Sequence, residues 1–352
     1  QNASRGKAYE EFQNYLQSNS VAKQQATAAP SATTANWTPL GPFGSPVNGD
    51  AGRLQCIRFH PAGTNTIYIG TAAGGLWVST NGGTSWTTTT DQLASLGIAD
   101  IAIDPINPNN IYIATGDNDA GDTYATGILK STDGGITWGP TGLTWTTNQM
   151  RRIGRLLINP QNPNKLIAAT SVGMYRSVNG GATWILSLAG SFKDAEYKPG
   201  DTTVVYAGGG SNFYKSSNGG NSYSGVSLGA VNSLNRTCIA VTPADPNYVY
   251  VLGSNSVDNS FGGLFRSTNS ATSFTTMSTT PNIFGWNTTG TDAGGQGWYD
   301  IAIGVSPTNP NEIIAGGVNT WKSTNGGQTW SLHSHWYGGG GKPYVHADLH
   351  DV

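Results

Sequence analysis

Charge is scarce in this chain: only 11% of its 352 residues are Asp, Glu, Lys or Arg, and the formal net charge is −2. A surface this sparsely and evenly charged argues against nucleic acid or an anionic membrane as the main partner. Cysteine is nearly absent too, with Cys56 and Cys238 only, which excludes a disulfide framework. Both cysteines stand five residues before a proline, Pro61 and Pro243, in corresponding repeats, and are expected to be buried free thiols. No apolar run reaches the length that spans a bilayer. What the chain has in quantity is glycine, 49 residues, together with Ser, Thr and Asn, a composition that suits short strands joined by tight turns.

One eight-residue phrase recurs six times: Ser79 to Trp86, Ser131 to Trp138, Ser177 to Trp184, Ser216 to Tyr223, Ser267 to Phe274 and Ser323 to Trp330. The starts lie 52, 46, 39, 51 and 56 residues apart, the period of propeller blades. Asn or Asp followed by Gly-Gly supplies positive φ and a side chain that bonds back to the turn, and the closing aromatic buries a ring against the sheet. At Ser267 the phrase reads Asn269-Ser270-Ala271, so this turn is expected to be the least regular. Each unit also shows a strand ending near a proline, a second apolar strand, a third leading into the phrase, and a Thr/Ser-rich fourth. Lys130, Arg176, Lys215, Arg266 and Lys322 precede the phrase one per blade, as solvated strand edges would.

The fold expected is all-β: a propeller of four-stranded antiparallel blades over residues 37–352, preceded by a helix and linker over residues 1–36. Lys7 to Leu16 has helical apolar spacing, and Trp37 to Leu40 is expected to close the ring. Val345 to Val352 reads as the first strand of a seventh, incomplete blade, which implies further sequence after Val352. A start at Gln1 rather than Met suggests an exported protein, secreted or at the cell surface, whose signal peptide has been removed.

The phrase Ser-x-Asp/Asn-x-Gly-x-Thr-Trp resembles the Asp-box, or BNR repeat, of sialidases, sortilin-type receptors, xyloglucan-cleaving hydrolases and a photosystem assembly factor. The longer pattern from Gly70 to Trp86 is most similar to the sortilin-type and xyloglucanase-type propellers, and to exported proteins of type IX-secreting Bacteroidetes. The resemblance implies the fold and leaves activity open. Sialidase chemistry is not expected, since Met150-Arg-Arg-Ile-Gly154 lacks the motif's leading aromatic and proline. Xyloglucan hydrolases carry a catalytic Asp in a Thr-Asp-x-Gly-Gly segment of the first blade, where this chain has Ala72.

Three sets of residues stand out. Asp117, Asp119 and Asp122, in one Gly-containing loop, match the oxygen donors a structural Ca²⁺ takes, or are solvated loop carboxylates. His346, Asp348 and His350, at i, i+2 and i+4, would share one face of a channel-lining strand, as a metal or acid/base site or as polar residues bonded to neighbouring blades. Trp145, Trp286, Trp298, Tyr299 and Trp336 fall in connections leading into first strands, with Arg53 and Arg152 in register with Asp348, and could stack sugars, grip a peptide or pack loops. The reading drawn is a non-catalytic module, within a larger exported protein, that binds a glycan or protein at the channel mouth and requires no cofactor. One alternative is a polysaccharide hydrolase using Asp348, Asp300 or residues beyond Val352. The other is a structural module of an adhesin or of cargo for a secretion machinery.

Overall fold

The computed structural model describes residues 52–229 and 233–351. The chain divides after Ala51, and everything described belongs to the unit Gly52–Val352. The expected N-terminal helix and the ring-closing segment at Trp37 lie outside the described residues.

The Ser of each phrase is the buried anchor of its turn. Ser131 Oγ donates to Asp133 Oδ1 at 2.7 Å and accepts from the Gly135 amide at 2.8 Å, and the Asp133 carboxylate then accepts from the Thr137 amide at 2.9 Å. The same three bonds form at Ser79, Ser177, Ser216, Ser267 and Ser323. The fifth turn therefore corrects the expectation of irregularity. Ser270 and Ala271 adopt φ of 55° and 56°, the left-handed positions that paired glycines hold elsewhere, and the Asx and Ser bonds keep them there.

These turns close six four-stranded antiparallel sheets, each with its strands in chain order from inner to outer. The first strands are Leu54–His60, Ile98–Ile103, Ile153–Ile158, Asp194–Lys198, Leu234–Val241 and Ala302–Val305, and consecutive ones adjoin around a central channel. Buried apolar clusters join the blades in sequence. Leu76 and Tyr68 pack on Ile101 and Ile111, Ala102 and Tyr112 on Leu156 and Leu166, Ile167 and Met174 on Ala195 and Val205, Tyr206 on Ile239 and Val251, and Tyr250 and Leu252 on Ile301 and Ile313. Cys56 and Cys238 are free thiols on the channel wall.

Six blades are described, not the seven expected. The C-terminal segment lies between the sixth blade and the first, where the Leu349 amide bonds Gly317 O at 3.0 Å and Asp351 Oδ2 accepts from the Ile57 amide at 3.2 Å. It forms no strand ladder; Tyr344 makes an isolated bridge to His335. Among the described residues no helix is long and apolar enough to cross a membrane.

Candidate functional site

Most first strands carry a bulge two residues in, at Gln55, Ala99 and Asn235 among others. A bulge inserts one residue and re-aims the side chains beside it, so Gln55 and Arg236 face the channel mouth. The acidic loop after Thr115 crosses that mouth and meets them. Asp117, fully buried, accepts from Arg53 Nη2 at 2.7 Å and from Gln55 Nε2 at 2.8 Å. Asp122 lies 3.2 Å from the same guanidinium. Asp119 Oδ1 stands 2.6 Å from Arg236 Nη2, and its Oδ2 stands 2.8 Å from His350 Nδ1. Burial would raise the Asp119 carboxyl, but Arg236 and His350 outweigh it and hold the group well below the usual carboxylate range.

The three aspartates, read as calcium donors or as solvated loop carboxylates, stand instead against Arg53, Gln55, Arg236 and His350, with Asp122 still largely exposed. Among the described residues no group of three or more His, Cys, Asp or Glu side chains is arranged to hold a metal. The loop instead ties the first, second and fifth blades to the C-terminal segment, and Lys193 of the fourth adds a bond to Asn118 O at 3.3 Å. Burial, with Arg236 nearby, brings the Lys193 ammonium down to about 7.

The expected shared face of His346, Asp348 and His350 does not form, because Asp348 takes φ 75° and breaks the two-residue alternation. His350 turns inward, edge-on to the Tyr299 ring at 4.9 Å, with Arg53 over the other side of that ring at 5.2 Å. His346 stays at the surface. Asp348 faces Tyr299 and Asp300 and acts on both electrostatically.

Asp300 is the most unusual group present. It is fully buried, and among the described residues neither carboxyl oxygen has a hydrogen-bond partner. Burial first, then the neighbouring Asp348, push it up to about 8. Gly317 makes room for it: a Cβ there would lie 2.6 Å from Asp300 O.

The tryptophans separate into two kinds. Trp145 packs edge-on against Tyr175 at 6.2 Å in the core between the second and third blades. Arg152 lies 5.8 Å over the Tyr124 ring. Neither joins the aromatic group of the sixth blade. Trp286, Trp298 and Trp336 are exposed, as are Tyr337 and Tyr344. Buried His335 organises three of these, bonding Trp286 O at 2.9 Å and meeting the Tyr337 ring edge-on at 4.2 Å, while Trp336 contacts Tyr337 at 4.9 Å. Trp298 lies against Tyr299 at 5.3 Å, beside Asp300 in the chain.

Sequence reading missed Arg236 and Lys193. The signal lay in the bulge, since counting by twos from Cys238 reaches Arg236, at the register shift that follows Leu234.

No known protein-family pattern matches the chain. Among curated proteins, a xyloglucanase of a Paenibacillus species is 25% identical over 335 residues, 80% of this chain and 31% of that protein. A xyloglucanase of Hypocrea jecorina is 32% identical over 151 residues, 39% of this chain and 18% of that protein. The chain therefore spans less than a third of the length of these relatives. Among solved structures, the GH74 enzyme of Niastella koreensis superposes with a TM-score of 0.59 at 24% identity, over 80% of this chain and 45% of that one. YCF48, solved bound to D1 peptide, gives 0.53 at 17% identity over 80% of both chains. These superpositions show the β-propeller fold. The sequence relatives overturn the expected non-catalytic binding module, because they are xyloglucanases and favour the hydrolase alternative.

Proposed function

We propose that this propeller carries the acid side of a glycoside hydrolase acting on a β-glucan of the xyloglucan kind. The observation that carries the reading is Asp300, a carboxyl held neutral at pH 7 beside Asp348 and next to exposed Trp298 and half-buried Tyr299. A carboxyl pushed up by an apolar setting and a neighbouring acid is how a fold keeps a proton donor loaded at neutral pH. Asp348, the half-exposed member, faces the substrate, while Asp300, which has no hydrogen bond to it among the described residues, holds the proton to be donated. The glycosidic C–O bond breaks as its oxygen takes the proton held by Asp300, water adds its oxygen to the anomeric carbon, and the proton the water gives up returns to the carboxylate that donated. Ala72 leaves the first blade without the base that the xyloglucan-hydrolase pattern would place there.

Trp286, Trp298 and Trp336 supply flat apolar faces for successive sugar rings. A polymeric substrate is met outside the cell, and export is proposed with this reading. No calcium is invoked, since Asp117 and Asp119 already face protein cations.

The test is release of reducing ends from xyloglucan and unbranched β-1,4-glucans. Asp300→Asn and Asp348→Asn are expected to lower the rate by roughly 10²–10⁴-fold, the usual contribution of acid–base catalysis, while polymer binding persists. Absence of hydrolysis on every glucan, or a full rate in Asp300→Asn, overturns the proposal.

A further inference from the structure

Beneath the acidic loop the channel holds a cavity of about 310 Å³, separate from the tryptophans of the sixth blade. Its wall mixes donors and acceptors. Glu196 is taken up by Arg155, and Asp119 by Arg236. Three cavity-lining groups keep unused capacity. The His350 side chain is 3% exposed; its Nδ1 lies 2.8 Å from Asp119 Oδ2 without an aligned hydrogen bond, and its Nε2 has no hydrogen-bond partner among the described residues. Arg155 Nε, 3.9 Å from Asp100 and from Asp194, has no hydrogen-bond partner among the described residues either. Lys193 Nζ bonds a single main-chain oxygen.

We infer that this cavity binds a small polyhydroxylated ligand, a single pyranose ring or a polyol of that size. A hydroxyl both donates and accepts, so one ligand satisfies the Arg155 N–H and the imidazole nitrogen together. A simple anion would face Asp119 and Glu196, and a simple cation would face Arg155 and Arg236. The volume falls at the small end of ligand pockets, about 300–1,000 Å³. A second cavity of about 250 Å³ adjoins it, sharing Arg58 and Arg155 and otherwise walled by Phe59, Pro61 and aliphatic side chains. The exposed Phe59 ring there offers the C–H face of a sugar an apolar surface on the way in.

Titration calorimetry with xylose, glucose, galactose and myo-inositol is expected to show saturable, weak binding. His350→Ala and Arg155→Lys should weaken it about tenfold, as loss of a buried hydrogen bond does. Ile136→Thr, in an exposed turn away from the channel, should leave it unchanged. Cys56 and Cys238 line the same cavity, so bound sugar should slow their reaction with methylmercury in the unsubstituted protein. No saturable binding, binding that survives His350→Ala but is lost with Trp298→Ala, tighter binding of acetate or phosphate, or thiol reactivity indifferent to sugar would each overturn the inference. A protein that binds these sugars yet releases no reducing ends keeps this site and loses the hydrolase reading.

Discussion

Asp351 Oδ2 accepts a hydrogen bond from the main-chain amide of Ile57 at 3.2 Å, which fastens the C-terminal segment to the first blade. The same bond recurs between neighbouring blades. Asp100 accepts from the Leu156 amide at 2.7 Å, and Asp194 from the Ile239 amide at 2.6 Å. Ile57, Leu156 and Ile239 each stand four residues before a proline, at Pro61, Pro160 and Pro243. A first-strand amide is turned sideways at that register, and an aspartate on the preceding element satisfies it. The segment ending at Asp351 therefore stands toward the first blade as the second blade stands toward the third, although it builds no sheet of its own.

The three aspartates differ in burial, and their removal should differ in cost. Asp100 is buried, touches Arg58 at 2.5 Å and also holds the Ile101 amide. Asp100→Ala leaves two amides and the Nη2 side of the Arg58 guanidinium unpaired, Nη1 keeping Asp351, and is expected to lower stability by about 3 kcal/mol. Asp351, with its side chain 28% exposed, should cost about 1 kcal/mol or less as Asp351→Ala, because water replaces what is lost. Urea denaturation of both variants checks the ranking, and equal losses would refute the positional argument.

The repeated turns should depend on their serine rather than their apolar surface residues. Ser131→Ala removes one donor and one acceptor from a site 1% exposed, and is expected to cost about 1–2 kcal/mol. Ile136, in the same turn and exposed, should tolerate Thr within about 0.5 kcal/mol. Thermal melts of the pair measure the contrast.

Blade architecture was legible because it rests on local chemistry. The Ser, Asx and Gly-Gly of each phrase make their bonds within five residues, so one copy explains all six, including the fifth turn once its αL backbone is seen. The channel mouth was less legible for two physical reasons. Bulges at Gln55 and Asn235 shift which side chains face inward, which hid Arg236. The partners of Asp117 and Asp119 come from blades distant in sequence, so a run of aspartates read as a cation loop when its cations were arginines. Asp300 was named only as a carboxylate for the alternative hydrolase reading; its lack of partners depends on burial, and sequence does not show that.

If the exposed tryptophans bind the polymer, their loss should separate binding from folding. Trp298→Ala and Trp336→Ala are each expected to weaken β-glucan binding by about tenfold, the effect of removing roughly 1–2 kcal/mol of ring stacking. Trp145→Ala should act on stability instead, since that ring packs between blades. Affinity electrophoresis in xyloglucan-containing gels, with a denaturation midpoint for each variant, distinguishes the two effects. Equal retardation of all three variants and the parent would exclude the aromatic surface as the binding face.

Asp300 offers a test in which stability and activity move in opposite directions. In the unfolded chain an aspartate ionises near 3.9, while in the folded protein this one is pushed up to about 8. Below about 4 both states are protonated, and the group has no net effect. Between about 4 and 8 the unfolded state loses its proton and the folded state keeps it, so stability falls as pH rises through that window. Above about 8 both are ionised and the penalty stays constant. Asp300→Asn mimics the neutral acid without the ionisation, so its advantage over the parent should grow from pH 4 to pH 8, reaching up to a few kcal/mol. Paired urea titrations at pH 4.5, 6 and 8 measure this growth. The same variant should lose hydrolysis, because it cannot supply a proton. A variant stabilised at pH 8 yet fully active would show that the buried carboxyl is a strained structural residue, and would move the acid to another group at the channel mouth.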